Sequence, residues 1–199
     1  MSEIKTGNGA GRSVGITRQA TGGRASDWNK SSYGRADLLR CARGELFGLG
    51  NAQLPLPPML MFDRIVEIAS DGGEYGRGLV VAEMDVKKDL WFYDCHFRGD
   101  PIMPGCLGLD ALWQMLGFFL GWLDLPGPGR ALSVGEVKFA GEVKPDGELL
   151  RYYVNVKKVI KRSFALAVAD GYCELDDKQV YTARGLRVGL FPPIEKSGR

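Results

Sequence analysis

One segment near the middle of the chain is apolar on nearly every side. It reads CLGLDALWQMLGFFLGWL from Cys106 to Leu123, which predicts a helix buried on most of its faces. The segment is almost long enough to span a bilayer, and Gly117 and Gly121 form a small-xxx-small pair. However, Asp110 near a bilayer core would cost about 2.5–3.5 kcal/mol, the segment is single, and strand-like segments flank it. We therefore expect the central helix of a globular domain, with glycines that let strands approach closely.

The flanking segments have the composition and spacing of β-strands. Short turn signals such as Ser70-Asp71-Gly72-Gly73 separate them, which favours an antiparallel sheet. A helix is predicted ahead of them over residues 35–47, and an aromatic extended segment over 89–96. The predicted strands cover residues 59–68, 78–86, 132–143, 149–160, 164–175 and 180–190. The predicted architecture is α+β, with one curved antiparallel sheet wrapped around the central helix.

Composition and charge limit the classes of function. The 199 residues suffice for one domain, and residues 1–32 are rich in Gly, Ser, Thr and Arg, which predicts a flexible extension ahead of a domain over 33–199. A net charge of +2 is too small to indicate a nucleic-acid partner. One histidine and four cysteines without C-x-x-C spacing argue against a metal site. The cysteines are expected to be reduced, and residues 1–33 contain no apolar signal segment, which together favour a cytoplasmic protein.

The only histidine, His96, precedes a Pro-Gly turn and the start of the predicted central helix. Histidine is the side chain best suited to proton transfer near neutral pH, so any histidine chemistry must use His96. A lone histidine is more often a core or surface residue, but its neighbours favour a functional role. Pro101 and Pro104 rigidify the turn, and the free amides of Gly105 and Cys106 at the helix N-terminus form a candidate oxyanion site.

Asp110 lies one turn into the apolar helix, too deep for an N-cap. An unpaired buried carboxylate is costly, so Asp110 is expected to be paired or protonated. Gln114, four residues later on the same face, can hydrogen-bond to it. The alternative is a water-exposed partner of the helix dipole. An apolar environment favours the protonated carboxyl, which can then act as a general acid.

Two further features allow both a structural and a functional interpretation. Cys95 and Cys106 could be thiol nucleophiles, but a residue next to His96 in an extended segment points to the opposite face, so both are expected to be small core residues. Four basic residues span the end of one predicted strand and the start of the next. They form either a solvated hairpin or a docking surface for an acidic carrier: Lys157, Lys158, Lys161 and Arg162.

Several long stretches match one known pattern. They include CHF at 95–97, GDP at 99–101, MPGCLGLDALWQ at 103–114, VGEVKF at 134–139 and VGLF at 188–191. Over residues 33–191 the chain resembles the β-hydroxydecanoyl-acyl-carrier-protein dehydratase/isomerase family of bacterial fatty-acid synthesis. Shorter dehydratases that look similar carry Glu where this chain has Asp110, so the resemblance indicates the isomerising branch.

The resemblance implies a hot-dog fold and a dehydratase with an apolar tunnel for acyl chains of about ten carbons. The substrate would be a 3-hydroxyacyl-acyl-carrier-protein, converted to the trans-2-enoyl and then the cis-3-enoyl thioester in unsaturated fatty-acid biosynthesis. The resemblance also implies a homodimer in which His96 of one subunit meets Asp110 of the other, and no metal or redox cofactor. His96 would be the base, Asp110 the acid held by Gln114, Gly105 the carbonyl donor, and the Ile102 carbonyl oxygen the group that orients the imidazole.

Three other functions remain open. The first is a dehydratase without isomerase activity. The second is a hot-dog acyl thioesterase, which would use a carboxylate to activate water and would release free thiol. The third is an acyl-thioester sensor that binds without turnover, although residues 1–33 are too weakly basic for the nucleic-acid-binding segment that such a protein normally carries.

Overall fold

The structure is a computed structural model that describes residues 28–192. This part of the chain contains two α-helices, a 3₁₀ helix and seven strands. In chain order they are α1 (Arg35–Ala42), β1 (Arg64–Ala69), β2 (Leu79–Asp85), the 3₁₀ helix (Trp91–Asp94), α2 (Gly105–Trp122), β3 (Gly129–Ser133), β4 (Glu136–Phe139), β5 (Leu149–Lys161), β6 (Ala165–Leu175) and β7 (Lys178–Leu190). Of the flexible extension predicted over residues 1–32, residues 1–27 lie outside the described part of the chain.

The seven strands form one antiparallel sheet around α2. Their order is β1-β2-β5-β6-β7-β3, and β4 also pairs with β7. Strands β2, β3, β5, β6 and β7 all contact α2, because its apolar side chains can leave water only if the sheet curves around them. Leu112, Met115 and Phe119 of the helix are fully buried. This arrangement is the hot-dog fold, and it confirms the predicted sheet wrapped around a central helix. No helix between residues 28 and 192 has the length and hydropathy needed to cross a bilayer.

The segment predicted to be extended over 89–96 instead contains the 3₁₀ helix, so that prediction was wrong. Phe92 and Tyr93 are both buried, whereas neighbouring side chains of a strand point to opposite faces. The Tyr93 N–H donates to the Leu90 carbonyl, and the His96 N–H donates to the Phe92 carbonyl. The aromatic composition suggested a strand, but burying both rings requires a turn.

Three other predicted elements have different bounds. The helix predicted over 35–47 ends at Ala42, because Gly44 takes a φ of 77° that a right-handed helix cannot contain. The strand predicted over 132–143 is divided into β3 and β4 where their partner β7 bends at Gly185, whose φ is 68°. The strand predicted over 59–68 begins only at Arg64, because the backbone of residues 59–61 bonds to a side chain of α2 instead.

The two glycines expected to admit strands do not do so. A Cβ atom on Gly117 would meet Val188 at an ordinary 3.8 Å, and Gly121 faces Phe47 and Ala52, which precede the sheet in the chain. Closer contacts with strand side chains occur in the first turn of α2, at Gly105 and Gly108.

The two edges of the sheet differ in how much of their backbone is covered. At the β1 edge, Tyr33 and Ile65 exchange two backbone hydrogen bonds of 2.8 and 2.9 Å, and the Ile68 N–H donates to the Ser31 carbonyl. At the other edge, β3 pairs only with β7 within the described chain, and Leu132 on β3 is 47% exposed. The sheet therefore has one covered edge and one open, partly apolar edge.

Candidate active site

His96 lies in a loop between the 3₁₀ helix and α2 whose two ends are bonded to each other. Its Nδ1 is 3.0 Å from the Ile102 carbonyl oxygen, and the Ile102 N–H donates to the His96 carbonyl at 2.8 Å. Because a carbonyl oxygen can only accept, Nδ1 carries the proton in this contact. In the neutral ring, Nε2 then has a free lone pair. The contact expected from the resemblance is present, and it leaves the imidazole in the tautomer that a general base requires.

Other contacts hold this loop in place. The Phe97 ring stacks on the His96 ring with centroids 3.8 Å apart, and the backbones of Phe97 and Asp100 exchange two hydrogen bonds. At the end of the loop, the Met103 N–H donates to the Val143 carbonyl. The imidazole is therefore positioned by a closed turn rather than by a free loop.

Asp110 is partly buried on α2, and the predicted hydrogen bond from Gln114 is present. Gln114 Nε2 is 2.6 Å from Asp110 Oδ2 and 2.8 Å from the Met59 carbonyl, while its Oε1 accepts from the Met61 N–H at 3.3 Å. The Met59 carbonyl requires a donor and the Met61 N–H requires an acceptor, so the orientation of the amide is fixed. Gln114 must donate to Oδ2, and Oδ1 has no hydrogen-bond partner among residues 28–192.

No hydrogen bond or ion pair joins His96 to Asp110 among residues 28–192. His96 bonds to the backbone of its own loop, and Asp110 bonds to Gln114. Two side chains suited to acid–base chemistry are thus each oriented separately within one chain.

The first amides of α2 are available to a ligand. Pro104 precedes the helix and its side chain makes no capping bond. The Gly105 and Cys106 N–H groups have no acceptor among the described residues, as expected for the start of a helix. The partial positive charge of the helix dipole adds to their attraction for a developing negative charge.

Both cysteines near His96 are exposed, so the expectation that they are core residues was wrong. Cys95 follows a 3₁₀ helix rather than a strand, and its Sγ lies 3.5 Å from the Phe92 carbonyl. Cys106 lies on the outer side of the first turn of α2, while the next residue, Leu107, is buried.

Phe139 is a residue of this region that sequence reasoning missed. Its ring lies directly against the α-carbon of Gly105, where an added Cβ would be only 2.6 Å from Phe139 Cε1. The Tyr181 ring lies in the same way against Gly108, one turn further along α2. The spacing of the two glycines, three residues apart on one helix face, was the available signal of this close packing.

The four basic residues singled out in the sequence separate into two groups. Lys157 Nζ is 2.7 Å from Asp170, which also accepts from the Tyr75 hydroxyl and the Gly185 N–H. Burial alone would raise the pKa of Asp170, but these hydrogen bonds outweigh it and lower the pKa. The hydrogen bond to Asp170 raises the pKa of Lys157. Lys157 is thus occupied within the domain.

The other three basic residues are exposed around the β5–β6 hairpin: Lys158, Lys161 and Arg162. The pairing of the strands brings a fourth basic residue, Arg187, to the same surface. Lys158 on β5 pairs with Val168 on β6, which pairs with Arg187 on β7. Directly paired residues share a face of the sheet, so exposed Arg187 lies about 10 Å from Lys158 on the same surface. We call these four residues the basic patch.

The sequence pattern of the FabA-like domain matches residues 54–184, well over half of the chain. The chain belongs to the FabA-like domain family. The match contains His96, Gly105 and Asp110, and the family predicted from the sequence is confirmed at the level of this domain. The matched region begins after α1. Helix α1 and the residues around Tyr33, which cover the edge of β1, therefore lie ahead of it.

Two solved structures are similar to this FabA-like chain. The dehydratase heterocomplex ApeI:P from Xenorhabdus doucetiae aligns with a TM-score of 0.51 and 15% identity, covering 70% of this chain and 87% of that one. A hypothetical thioesterase with coenzyme A from Streptococcus pneumoniae aligns with a TM-score of 0.45 and 16% identity, covering 64% of this chain and 84% of that one. At 15% identity, the alignment with ApeI:P indicates a shared hot-dog fold and nothing about activity.

Proposed function

We propose that this protein dehydrates 3-hydroxyacyl-acyl-carrier-protein of about ten carbons to the trans-2-enoyl thioester and isomerises that product to the cis-3-enoyl thioester. The observation that carries the proposal is the bond between His96 Nδ1 and the Ile102 carbonyl, which leaves Nε2 free as a base. Membership of the FabA-like domain family supports the same reaction class. The proposed role is in unsaturated fatty-acid biosynthesis, and the cytoplasmic location stays a prediction from the sequence.

The proposed enzyme is a homodimer with active sites at the subunit interface. His96 and Asp110 share no hydrogen bond within the described chain, and in the proposed dimer a second copy brings His96 of one protomer to Asp110 of the other. The open edge at β3 supports this assembly, since two copies of an exposed antiparallel edge can pair through their free backbone groups. The exposed side chain of Leu132 on that edge would gain burial in the same contact.

In the proposed dehydration, His96 Nε2 takes the proton from C2 of the substrate, and the electron pair left behind forms the C2–C3 double bond. The bond from C3 to its hydroxyl oxygen breaks, Asp110 gives that oxygen a proton from Oδ1, and water leaves. The imidazolium and the Asp110 carboxylate then regain their starting states by transfer of one proton. Isomerisation uses the same groups, with one proton leaving C4 and another arriving at C2.

The Gly105 N–H would stabilise the charge that develops during this reaction. When C2 loses its proton, negative charge moves onto the thioester carbonyl oxygen. An amide at the start of α2 can donate to that oxygen more strongly in the transition state than in the ground state. Cys106 contributes the neighbouring amide of the same turn, and its thiol has no step in the proposed mechanism.

The test is to give the purified protein 3-hydroxydecanoyl thioester and to resolve the products by chromatography. We expect both trans-2-decenoyl and cis-3-decenoyl thioesters. Only the trans-2 product would support a dehydratase and remove the isomerase part of the proposal. Release of free thiol without an enoyl product would indicate a thioesterase instead, and binding without turnover of carrier-linked or small thioesters would indicate a sensor.

Acyl carrier protein is the proposed partner, and the basic patch is its proposed docking surface. Changing Lys158 and Arg162 to Glu should lower kcat/KM for carrier-bound substrate about tenfold or more, because the attraction that brings an acidic carrier to the site becomes repulsion. The kcat/KM for a small thioester should change little. Steady-state kinetics with both substrates at low and high salt measure the difference.

Two variants control for this experiment. Lys178→Glu makes the same type of charge change at the start of β7, beside the far end of β6, and Lys157→Gln removes the lysine already bonded to Asp170. Both should leave the preference for carrier-bound substrate unchanged. An equal loss with carrier-bound and small substrates in the Lys158 and Arg162 variant would refute docking at the basic patch.

A further inference from the structure

Two aromatic rings cover the first turn of α2. A Cβ atom on Gly105 would lie 2.6, 2.9 and 3.0 Å from three ring atoms of Phe139, and one on Gly108 would lie 2.6 and 2.7 Å from two ring atoms of Tyr181. Real Cβ atoms do not approach carbon so closely, so only glycine permits this packing at either position. Gly105 is therefore required by the Phe139 ring, independently of any approach of a ligand to its amide.

The two rings are held differently. Phe139 and Tyr181 pair in register across β4 and β7, and their rings form an edge-to-face contact with centroids 5.1 Å apart. Tyr181 is 4% exposed, and burial raises the pKa of its hydroxyl, so it stays neutral at physiological pH. Phe139 is 55% exposed. The Phe139 ring thus rests on Tyr181 and Gly105, and its outer side is open.

The position of this ring affects the amide next to it. A hydrocarbon ring against the Gly105 α-carbon excludes water from that side of the residue. Excluding water lowers the local dielectric constant, and a hydrogen bond to a negatively charged oxygen is stronger where the dielectric constant is low. The open face of the ring also offers an apolar wall beside the amide.

From this geometry we infer that Phe139 is a positioning residue that keeps water away from the Gly105 N–H and so strengthens its hydrogen bond to the thioester carbonyl. The inference rests on the proposed function and deepens it, since it assigns the wall of the carbonyl subsite. The reaction would then need the aromatic ring of Phe139, and not only the volume that this side chain fills.

Vibrational spectroscopy of a bound thioester tests the inference without turnover. The probe is a small 3-hydroxydecanoyl thioester labelled with carbon-13 at the carbonyl, bound to His96→Ala protein. Hydrogen bonding at Gly105 should lower its carbonyl stretching frequency relative to water. Adding Phe139→Ala should remove more than about half of that shift, and Phe139→Tyr, which keeps the ring, should preserve it.

Kinetics in the protein with His96 intact give a second measurement. Phe139→Ala should lower kcat about tenfold while KM changes less than about threefold, because the affected hydrogen bond strengthens in the transition state. Phe139→Tyr should restore most of the activity. Tyr75→Ala removes another exposed aromatic side chain, in the turn between β1 and β2, and should leave both constants unchanged.

The outcomes separate this inference from the function on which it rests. A carbonyl shift that survives Phe139→Ala overturns the role of Phe139 and leaves the proposed function standing. No shift in the His96→Ala parent would overturn the role of Gly105 and this inference with it. Equal loss in the Ala and Tyr variants would indicate general packing and would also overturn it. If Phe139→Ala fails to fold, Phe139→Leu replaces it, since it keeps apolar volume without the ring.

Discussion

Replacing His96 with alanine should lower kcat for dehydration about a thousandfold. His96 is the only histidine in the chain, so no second imidazole can take over the proton from C2. The fold should survive, because the loop stays closed by the Ile102 N–H bond to the backbone carbonyl of residue 96 and by the backbone pair of Phe97 and Asp100. Product formation, melting temperature and size-exclusion elution together measure the effect.

Cys95→Ala is the matched control for this variant. It changes the neighbouring exposed residue, whose Sγ lies near the carbonyl oxygens of Trp91 and Phe92, and we expect activity close to that of the unchanged protein. Near-normal turnover in His96→Ala protein would contradict the mechanism. A similar loss in both variants would indicate damage to the loop rather than loss of a base.

Asp110→Asn should lower the dehydration rate about a hundredfold or more while leaving the local structure in place. The asparagine side chain has nearly the same shape, and its carbonyl oxygen can accept the Gln114 Nε2–H that Asp110 Oδ2 accepts. What the variant lacks is the proton on the second oxygen, so the hydroxyl at C3 has no acid to help it leave. Single-turnover dehydration measures this step, and a fully active Asn variant would remove the acid role.

Mixing the two inactive variants tests whether each site uses both protomers. A mixed dimer of His96→Ala and Asp110→Asn chains contains one site with both groups intact. After random exchange of subunits, activity should recover to about one quarter of that of the unchanged protein. Each variant mixed with itself is the control. No recovery despite proven exchange would mean that both groups act from the same chain.

The helix and the long strands could be predicted because their patterns leave few alternatives. An apolar run with a Pro-Gly start predicted α2 to within one residue at either end, and β5 and β6 were predicted equally closely. The errors lie where tertiary contacts override local preference. Phe92 and Tyr93 favour a strand by composition, but burying both requires a turn. Residues 59–61 are apolar like a strand, yet their backbone bonds to Gln114.

In the candidate site, too, contacts set by local sequence could be predicted and contacts set by tertiary packing could not. The hydrogen bond from Gln114 to Asp110 could be predicted because helical spacing alone places the two side chains together. The contact of Phe139 with Gly105 joins residues 34 positions apart, and no local pattern determines which ring reaches the helix. The difference between Lys157 and Lys158 also depends on the fold, because only the packed sheet brings Asp170 to one of them.

The short segment around Tyr33 has a consequence for the size of the assembly. By pairing with Ile65 it occupies the outer side of β1, so residues 28–192 of each chain have one free strand edge, at β3. Chains with one free strand edge can pair through it only as dimers, whereas chains with two free edges can keep adding further copies. In the proposed dimer, a few residues ahead of the matched domain and outside the proposed chemistry would thus decide between a finite particle and a growing fibre.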